Sequence, residues 1–217
     1  MKVLGLDPSL TGYGWAIHDT DAEGPARCVR RGRWSTPAKQ LFIDRYMCMR
    51  ESLRGLVRQG GFDRMALEFP IFNSDYSEGL YGLFLFTSEA IYTERQDVVF
   101  FSNGQIKSHA AEFIERPTGW KMGKADMVET AQTDLKDGRS INHNEADAYL
   151  CAKLGARFWL LHDGLIEESD LTPVEKRTFT LIHKYTRGKK AGKEHVKGVL
   201  NRENERFFRW SQIDGKT

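Results

Sequence analysis

Apolar residues come first in short runs and later at helical spacing. Val3-Leu4-Gly5-Leu6 is a short apolar run closed by Asp7, which predicts a buried strand over 3–7. The turn-forming Asp7-Pro8-Ser9 leads to a second predicted strand over 12–17, and Gly24-Pro25 to a third over 28–34. Between 39 and 57, Leu41, Tyr46, Met49, Leu53 and Leu56 recur every three to five residues. That spacing predicts a helix, and Gly60-Gly61 stops it. A strand is predicted over 64–67, running into Glu68. An aromatic-rich helix follows over 76–94, then a buried strand over 98–101. Further helices are predicted over 104–114, 124–135 and 144–161. Strands first, with helices alternating later, predict an α/β fold in which helices flank a sheet.

A break is predicted around Glu167-Glu168-Ser169-Asp170, dividing the chain into 1–165 and a C-terminal extension over 171–217. Thr172-Pro173-Val174-Glu175 has the form of a helix start: an N-cap threonine, proline at the first helical position, glutamate three residues after the cap. A basic amphipathic helix is expected to run toward Arg187, followed by a flexible cationic linker over 188–193 containing Lys189, Lys190 and Lys193. A last helix over 194–213, bearing Phe207, Phe208 and Trp210, completes a basic helical extension.

The formal charge of +2 conceals a division. From Leu171 onward twelve Lys/Arg face five Asp/Glu, a net of +7, which leaves −5 on the preceding residues. An acidic body with a basic arm points to a polyanionic partner, most simply nucleic acid. No apolar run approaches the roughly 20 residues of a membrane span, so a membrane location is not expected. The opening residues reach Asp7 after one short apolar run, unlike a secretory signal. Cys28, Cys48 and Cys151 are odd in number and far apart, which excludes a disulfide framework and suits a reducing cytoplasm.

Three acids stand where a rigid scaffold would present them: Asp7 and Glu68 at strand ends, and Asp147 near a helix start. Their apolar flanks (Leu4, Leu6, Ala66, Leu67, Ala146, Ala148) make burial without a cation costly. A cluster of oxygen donors is the usual home of Mg²⁺ and suits phosphate chemistry. In Asn142-His143-Asn144-Glu145-Ala146-Asp147, Asn144 and His143 lie three and four residues before Asp147, so either can share its face. The alternative makes Asn142 or Asn144 an N-cap and leaves His143 in solvent. Gly12 and Gly14, lacking Cβ, are expected to let a metal or a backbone phosphate approach the hairpin closely.

These residues resemble a known family. The run Val-Leu-Gly-Leu-Asp-Pro-Ser-Leu-Thr-Gly-Tyr-Gly-Trp-Ala at 3–16 resembles the opening of RuvC-type Holliday-junction resolvases, and Leu-Glu-Phe-Pro at 67–70 their second acidic motif. Gln105-Ile106-Lys107 with Gly123-Lys124-Ala125-Asp126-Met127-Val128 is similar to their basic segment, and Asn144–Tyr149 to their closing helix. The match runs in order over about residues 1–160, closest to the phage-encoded branch, and leaves the basic arm outside.

The resemblance implies a ribonuclease-H-like mixed sheet, a homodimer, and Mg²⁺-dependent cleavage with two ions per site, Mn²⁺ being able to substitute. It implies a crossover junction endodeoxyribonuclease, a phosphodiester hydrolase of recombination and repair. That enzyme nicks four-way DNA junctions symmetrically and leaves 5′-phosphate and 3′-hydroxyl ends. Asp7, Glu68 and Asp147 would then be metal ligands. The fourth acidic position falls on Asn144, with His143 as substitute. Lys107 and Lys124 would stabilise the scissile phosphate or position the duplex. Phe69 and Phe72 would stack on unpaired bases, or else serve the core. Leu80, Leu83, Phe84, Phe86, Thr87 and Ile91 give the 76–94 helix apolar surface on more than one side, so it either sits in the core or forms a homodimer seam. The setting would be the cytoplasm, the host's if the chain is phage-encoded. Alternatives are a nuclease of the same fold acting on other branched DNA or RNA–DNA hybrids, and a catalytically silent junction-binding protein. An actin-like ATPase shares the opening hairpin but needs further Gly-rich phosphate motifs and a longer chain; no nucleotide cofactor is expected.

Overall fold

The computed structural model describes residues 1–70, 77–114, 120–136 and 138–179, together with the backbone of four short strands beyond them. Strands β1 (Lys2–Asp7), β2 (Tyr13–Asp19) and β3 (Cys28–Trp34) form an antiparallel meander. After helix α1 (Phe42–Gln59), β4 (Arg64–Phe69) returns parallel to β1. After α2 (Ser77–Thr93), β5 (Val98–Ser102) adds parallel to β4. Helices α3 (Asn103–Ala110), α4 (Lys124–Leu135) and α5 (His143–His162) follow. Within the sheet these strands lie in the order β3-β2-β1-β4-β5, and two short strands from beyond α5 extend it past β5. It is a mixed sheet flanked by helices, as the sequence predicted, and every predicted strand through 101 is present.

The pleat divides two cores. On one face Leu4, Leu6, Met65, Leu67, Val98 and Phe100 pack with α1 and α2. On the other, Val3, Ala66, Val99 and Phe101 pack with α5 and α4. Helix α5 lies very low on this second face because small residues meet there. A Cβ on Gly5 would stand 2.1 Å from the Ala148 carbonyl oxygen, and one on Gly155 would stand 2.4 Å from Ala66 Cβ. The Trp159 indole donates to the Met65 carbonyl at 2.9 Å and locks the far end of α5 to the sheet.

Helix α6 (Pro173–Phe179) begins as its sequence predicts: Thr172 Oγ1 accepts from Glu175 N–H at 3.1 Å, and Glu175 Oε2 accepts from Thr172 N–H at 3.0 Å. It packs on the body. Leu171 and Phe179 join the α5-side core. Buried Glu175 accepts from Arg157 Nε at 2.8 Å and lies 3.3 Å from His109 Nε2. Beyond α6 the chain differs from the helical expectation. Strands β6 (Ile182–Lys184) and β7 (Glu194–Val196) pair with each other, and β8 (Gly198–Asn201) pairs with β5 and β9 (Arg206–Arg209). Gly198 interrupts a helical period, and Val199 and Phe207-Phe208 favour extended backbone. Among the described residues no helix is long and apolar enough to cross a membrane.

Candidate active site

Strand parity decides which side chains meet. Val3 and Gly5 face α5, so Asp7, two residues on, falls on the same side. Ala66 faces α5, so Glu68 does too. Because β1 and β4 run parallel with Leu6 opposite Leu67, both acids emerge side by side at the carboxyl ends of adjacent strands. Asp147 joins them from near the start of α5. That start is fixed by Asn142, whose Oδ1 accepts from Glu145 N–H at 3.0 Å. Asn142, then, is the cap among the alternatives read from sequence.

The three acids feel one another. Burial, then the charges of Glu68 and Asp147, hold the Asp7 carboxyl well above its ordinary range, while Lys124 opposes them. Burial pushes Glu68 up to about 7; a hydrogen bond from Asn103 and the charge of Lys107 oppose this, and Asp147 reinforces it. Asp147 is pushed up to about 6 by burial, against Lys107 and Lys124. Cys151, one turn beyond Asp147, is fully buried beneath them; burial first, and then the charges of all three acids, raise its thiol pKa.

Whether these residues suit a divalent cation can be judged from their unmet needs. Glu68 Oε1 accepts from Asn103 Nδ2 at 2.9 Å, but Glu68 Oε2 and Asp147 Oδ1 are buried with no hydrogen-bond partner among the described residues. Hard oxygen donors, orphaned buried oxygens and surplus negative charge fit Mg²⁺. Among the described residues, however, no group of three or more His, Cys, Asp and Glu is drawn together closely enough to hold a metal ion. Like charges oppose such closure.

Around the acids, Lys107 on α3 is half-buried beside Glu68 and Asp147. Lys124 opens α4 and is exposed on the Asp7, Asp147 and His143 side. His143 is half-buried; burial, then Lys124 and Arg33, lower its pKa and keep the imidazole neutral at neutral pH. Asn144 is buried against the β1–β2 hairpin. A Cβ at Gly12 would come within 2.4 Å of Asn144 Nδ2, and one at Gly14 within 2.1 Å of the Asn144 carbonyl oxygen. This corrects the reading of the two glycines. Their missing side chains make room for α5, and Asn144 fills the space expected for a metal or phosphate.

Phe69 follows Glu68 and therefore turns to the opposite face. It packs edge-on against Phe84 with centroids 5.0 Å apart and stays partly exposed at the strand end. Phe72, Lys189, Lys190 and Lys193 lie outside the described residues.

Two members of the site escaped the sequence reading. Asn103 directly follows β5, whose end lies beside β4 with Ser102 opposite Phe69. A capping box fixes it: Ser102 Oγ accepts from Gln105 N–H and Gln105 Oε1 from Ser102 N–H. Ser102-Asn103-Gly104-Gln105 carries that signature in the sequence. Cys151 was legible as the residue four positions after Asp147 on the same helix face.

A mixed sheet whose first five strands have this order, with a closing helix lying low across it, has solved counterparts. The chain is similar to Thermus thermophilus RuvC in complex with a Holliday junction substrate, with a TM-score of 0.57 and 14% identity over 70% of this chain and 90% of that one. The fold is ribonuclease-H-like, as in RuvC. A second Thermus thermophilus RuvC structure gives a TM-score of 0.57 at 15% identity, with the same coverage of both chains. A Fowlpox virus resolvase in complex with Holliday junction DNA gives 0.42 at 15% identity, over 77% of this chain and all of that one. No protein-family model matches the sequence, and no curated protein matches it. The RuvC likeness in fold agrees with the motif order from Asp7 through Asp147.

Proposed function

We propose that this chain is a divalent-metal-dependent, structure-selective DNA endonuclease that resolves four-way junctions by paired nicks. The observation that carries the reading is the meeting of Asp7, Glu68 and Asp147 on one face of a RuvC-like sheet, with two buried oxygens left unpartnered. A RuvC of this fold has been solved in complex with a Holliday junction substrate.

In this reading Asp7, Glu68 and Asp147 hold Mg²⁺ or Mn²⁺, two ions per site. His143 is the better fourth donor, because its neutral ring nitrogens suit a metal whereas Asn144 is wedged against Gly12 and Gly14. When bound, the metal supplies charge neutralisation at the phosphate and a more acidic water. Asn103 occupies Glu68 Oε1 and so fixes the direction of Oε2. Lys107 and Lys124 draw the scissile phosphate toward three acids that would otherwise repel it. Products are a 5′-phosphate and a 3′-hydroxyl.

Two symmetric cuts call for two sites, hence a C₂ homodimer. Tyr81, Leu85 and Tyr92 on α2, with Phe42, Ile43 and Met47 on α1, are exposed apolar side chains that support such a seam. The basic residues after Asp170 add phosphate affinity without reading sequence.

The test incubates the full chain with labelled four-way junction, flap, RNA–DNA hybrid and linear duplex, with and without Mg²⁺. Paired junction nicks that ligase reseals are the expected result. Asp7→Asn retains junction binding but loses several kcal/mol of transition-state stabilisation, a rate drop of about 10³-fold or more. Undiminished cleavage by that variant would refute the assignment. Cutting confined to flap or hybrid would replace the substrate, and binding without any cutting would leave a silent junction-binding protein.

A further inference from the structure

Strand β3 carries three arginines, and their surroundings differ. Arg30 lies 5.7 Å from the Trp15 ring centroid and donates to Gln59 Oε1 at 3.0 Å. Arg31 donates to the Ser140 carbonyl at 3.4 Å and faces Glu145 at 3.8 Å. Both have protein partners. Arg33 is exposed and has no hydrogen bond or ion pair among the described residues.

The sheet register places Arg33 in line with the acids. Asp7 is opposite Gly14 across the β1–β2 pair, and Gly14 is opposite Arg33 across the β2–β3 pair. Residues directly opposite share a face, so Arg33 and Asp7 lie on the same side with only a glycine between them. Two strand spacings separate their backbones by roughly 10 Å. The Arg33 stem crosses the hairpin: a Cβ at Gly12 would stand 2.9 Å from Arg33 Cδ and 2.4 Å from Asn144 Nδ2. Lys107 follows β5 on α3, at the other flank of the order β3-β2-β1-β4-β5. The acids of β1 and β4 therefore sit between a lysine on one flank and, on the other, a guanidinium without a hydrogen bond or ion pair among the described residues.

From this row of side chains we propose that Arg33 is a DNA-backbone contact, gripping a non-scissile phosphate of the strand that lies across the acids, on the flank opposite Lys107. The assignment rests on the nuclease reading above and deepens it. A planar guanidinium suits the task because it binds a phosphate bidentately and keeps its charge at every working pH. It also gives the strand a second anchor, so that its direction across the sheet is fixed from β5 toward β3.

The experiment measures junction binding by the full chain in the Asp7→Asn background, where the DNA stays intact, over a series of salt concentrations. Arg33→Ala is expected to weaken binding about tenfold. It should also flatten the slope of log K against log salt by about 0.9, the signature of one lost phosphate contact. Arg33→Lys should restore the slope and part of the affinity, and Arg30→Ala should leave both near the parent's. An Arg33→Ala variant with unchanged affinity and slope, in a parent that binds the junction, overturns this inference and spares the nuclease reading. Equal losses in Arg33→Ala and Arg30→Ala also overturn it, since general charge would then explain both. A parent that binds no branched DNA overturns the nuclease reading and this contact with it.

Discussion

Buried Glu175 and the half-buried trio Asp7, Glu68 and Asp147 lie on the same face of this sheet, and they have opposite electrostatics. At Glu175, burial alone would raise the pKa. His109, Arg157 and the Thr172 N–H outweigh it and hold the carboxylate at about 2. At Asp7, Glu68 and Asp147 burial wins, and the oxygens Glu68 Oε2 and Asp147 Oδ1 have no partner. The Glu175 carboxylate has both oxygens paired within the protein and seats α6 on the body. The trio is left in need of positive charge from outside. Unpartnered carboxylate oxygens with raised pKa values are what a bound cation would satisfy, and this separates Glu175 from the three acids more sharply than burial does.

The contrast can be broken most forcefully at Glu175. Replacing it by Ala leaves Arg157 without its buried partner and should cost about 3–5 kcal/mol, lowering Tm by about 6–20 °C in calorimetry. In the wild type this contribution is present above the unfolded glutamate range and is lost as pH falls from there through about 2. A small Tm change in Glu175→Ala would mean that the cluster contributes little.

The acid cluster should respond to ligand instead. Mg²⁺ at about a hundred times its dissociation constant should stabilise the wild type by about 2.7 kcal/mol, a Tm rise of about 5–10 °C. Asp7→Asn should abolish most of that rise. Equal shifts in both proteins would place metal binding elsewhere.

The smallest effect has the opposite sign to that at Glu175. With chelator present, Asp7→Asn should raise Tm at pH 8, by about 1–3 kcal/mol of relieved charge burial. The folded-state pKa values of these acids are raised, to about 7 for Glu68 and about 6 for Asp147. Their ionisation therefore lowers stability as pH rises through that range, and protonation restores it below. The advantage of Asp7→Asn should shrink toward pH 5; an advantage independent of pH would contradict the raised pKa values.

Much of this was legible in the chain. Short apolar runs marked β1, β4 and β5 as strands, and Asp7 and Glu68 could be placed at strand ends because each closes such a run. Helix α4 was predicted to the residue as 124–135, although its stop, Lys136 in a left-handed conformation, carries no sequence signal. Asn103 and Arg33 were not legible: their importance comes from register between strands distant in sequence, which no local pattern carries. Gly12 and Gly14 were recognised as special for the wrong reason, because sequence shows a missing side chain but not what fills its place. The extension misled for a related reason. Its charge spacing suits a helix, while pairing with β5 draws 198–201 into a strand.

The seating of α5, on Gly5 and Gly14 of the sheet and through its own Gly155 against Ala66, has a consequence for how such a site can persist while the rest of the sequence changes. Main-chain contacts at Gly5 and Gly14, and the small Ala66 beneath Gly155, set the height of that helix above the sheet, and with it the span between the acid on α5 and those on the strands. Most other positions are thereby released from the task of spacing the acids. Two chains can then share an architecture while agreeing at few residues, provided those small positions stay small.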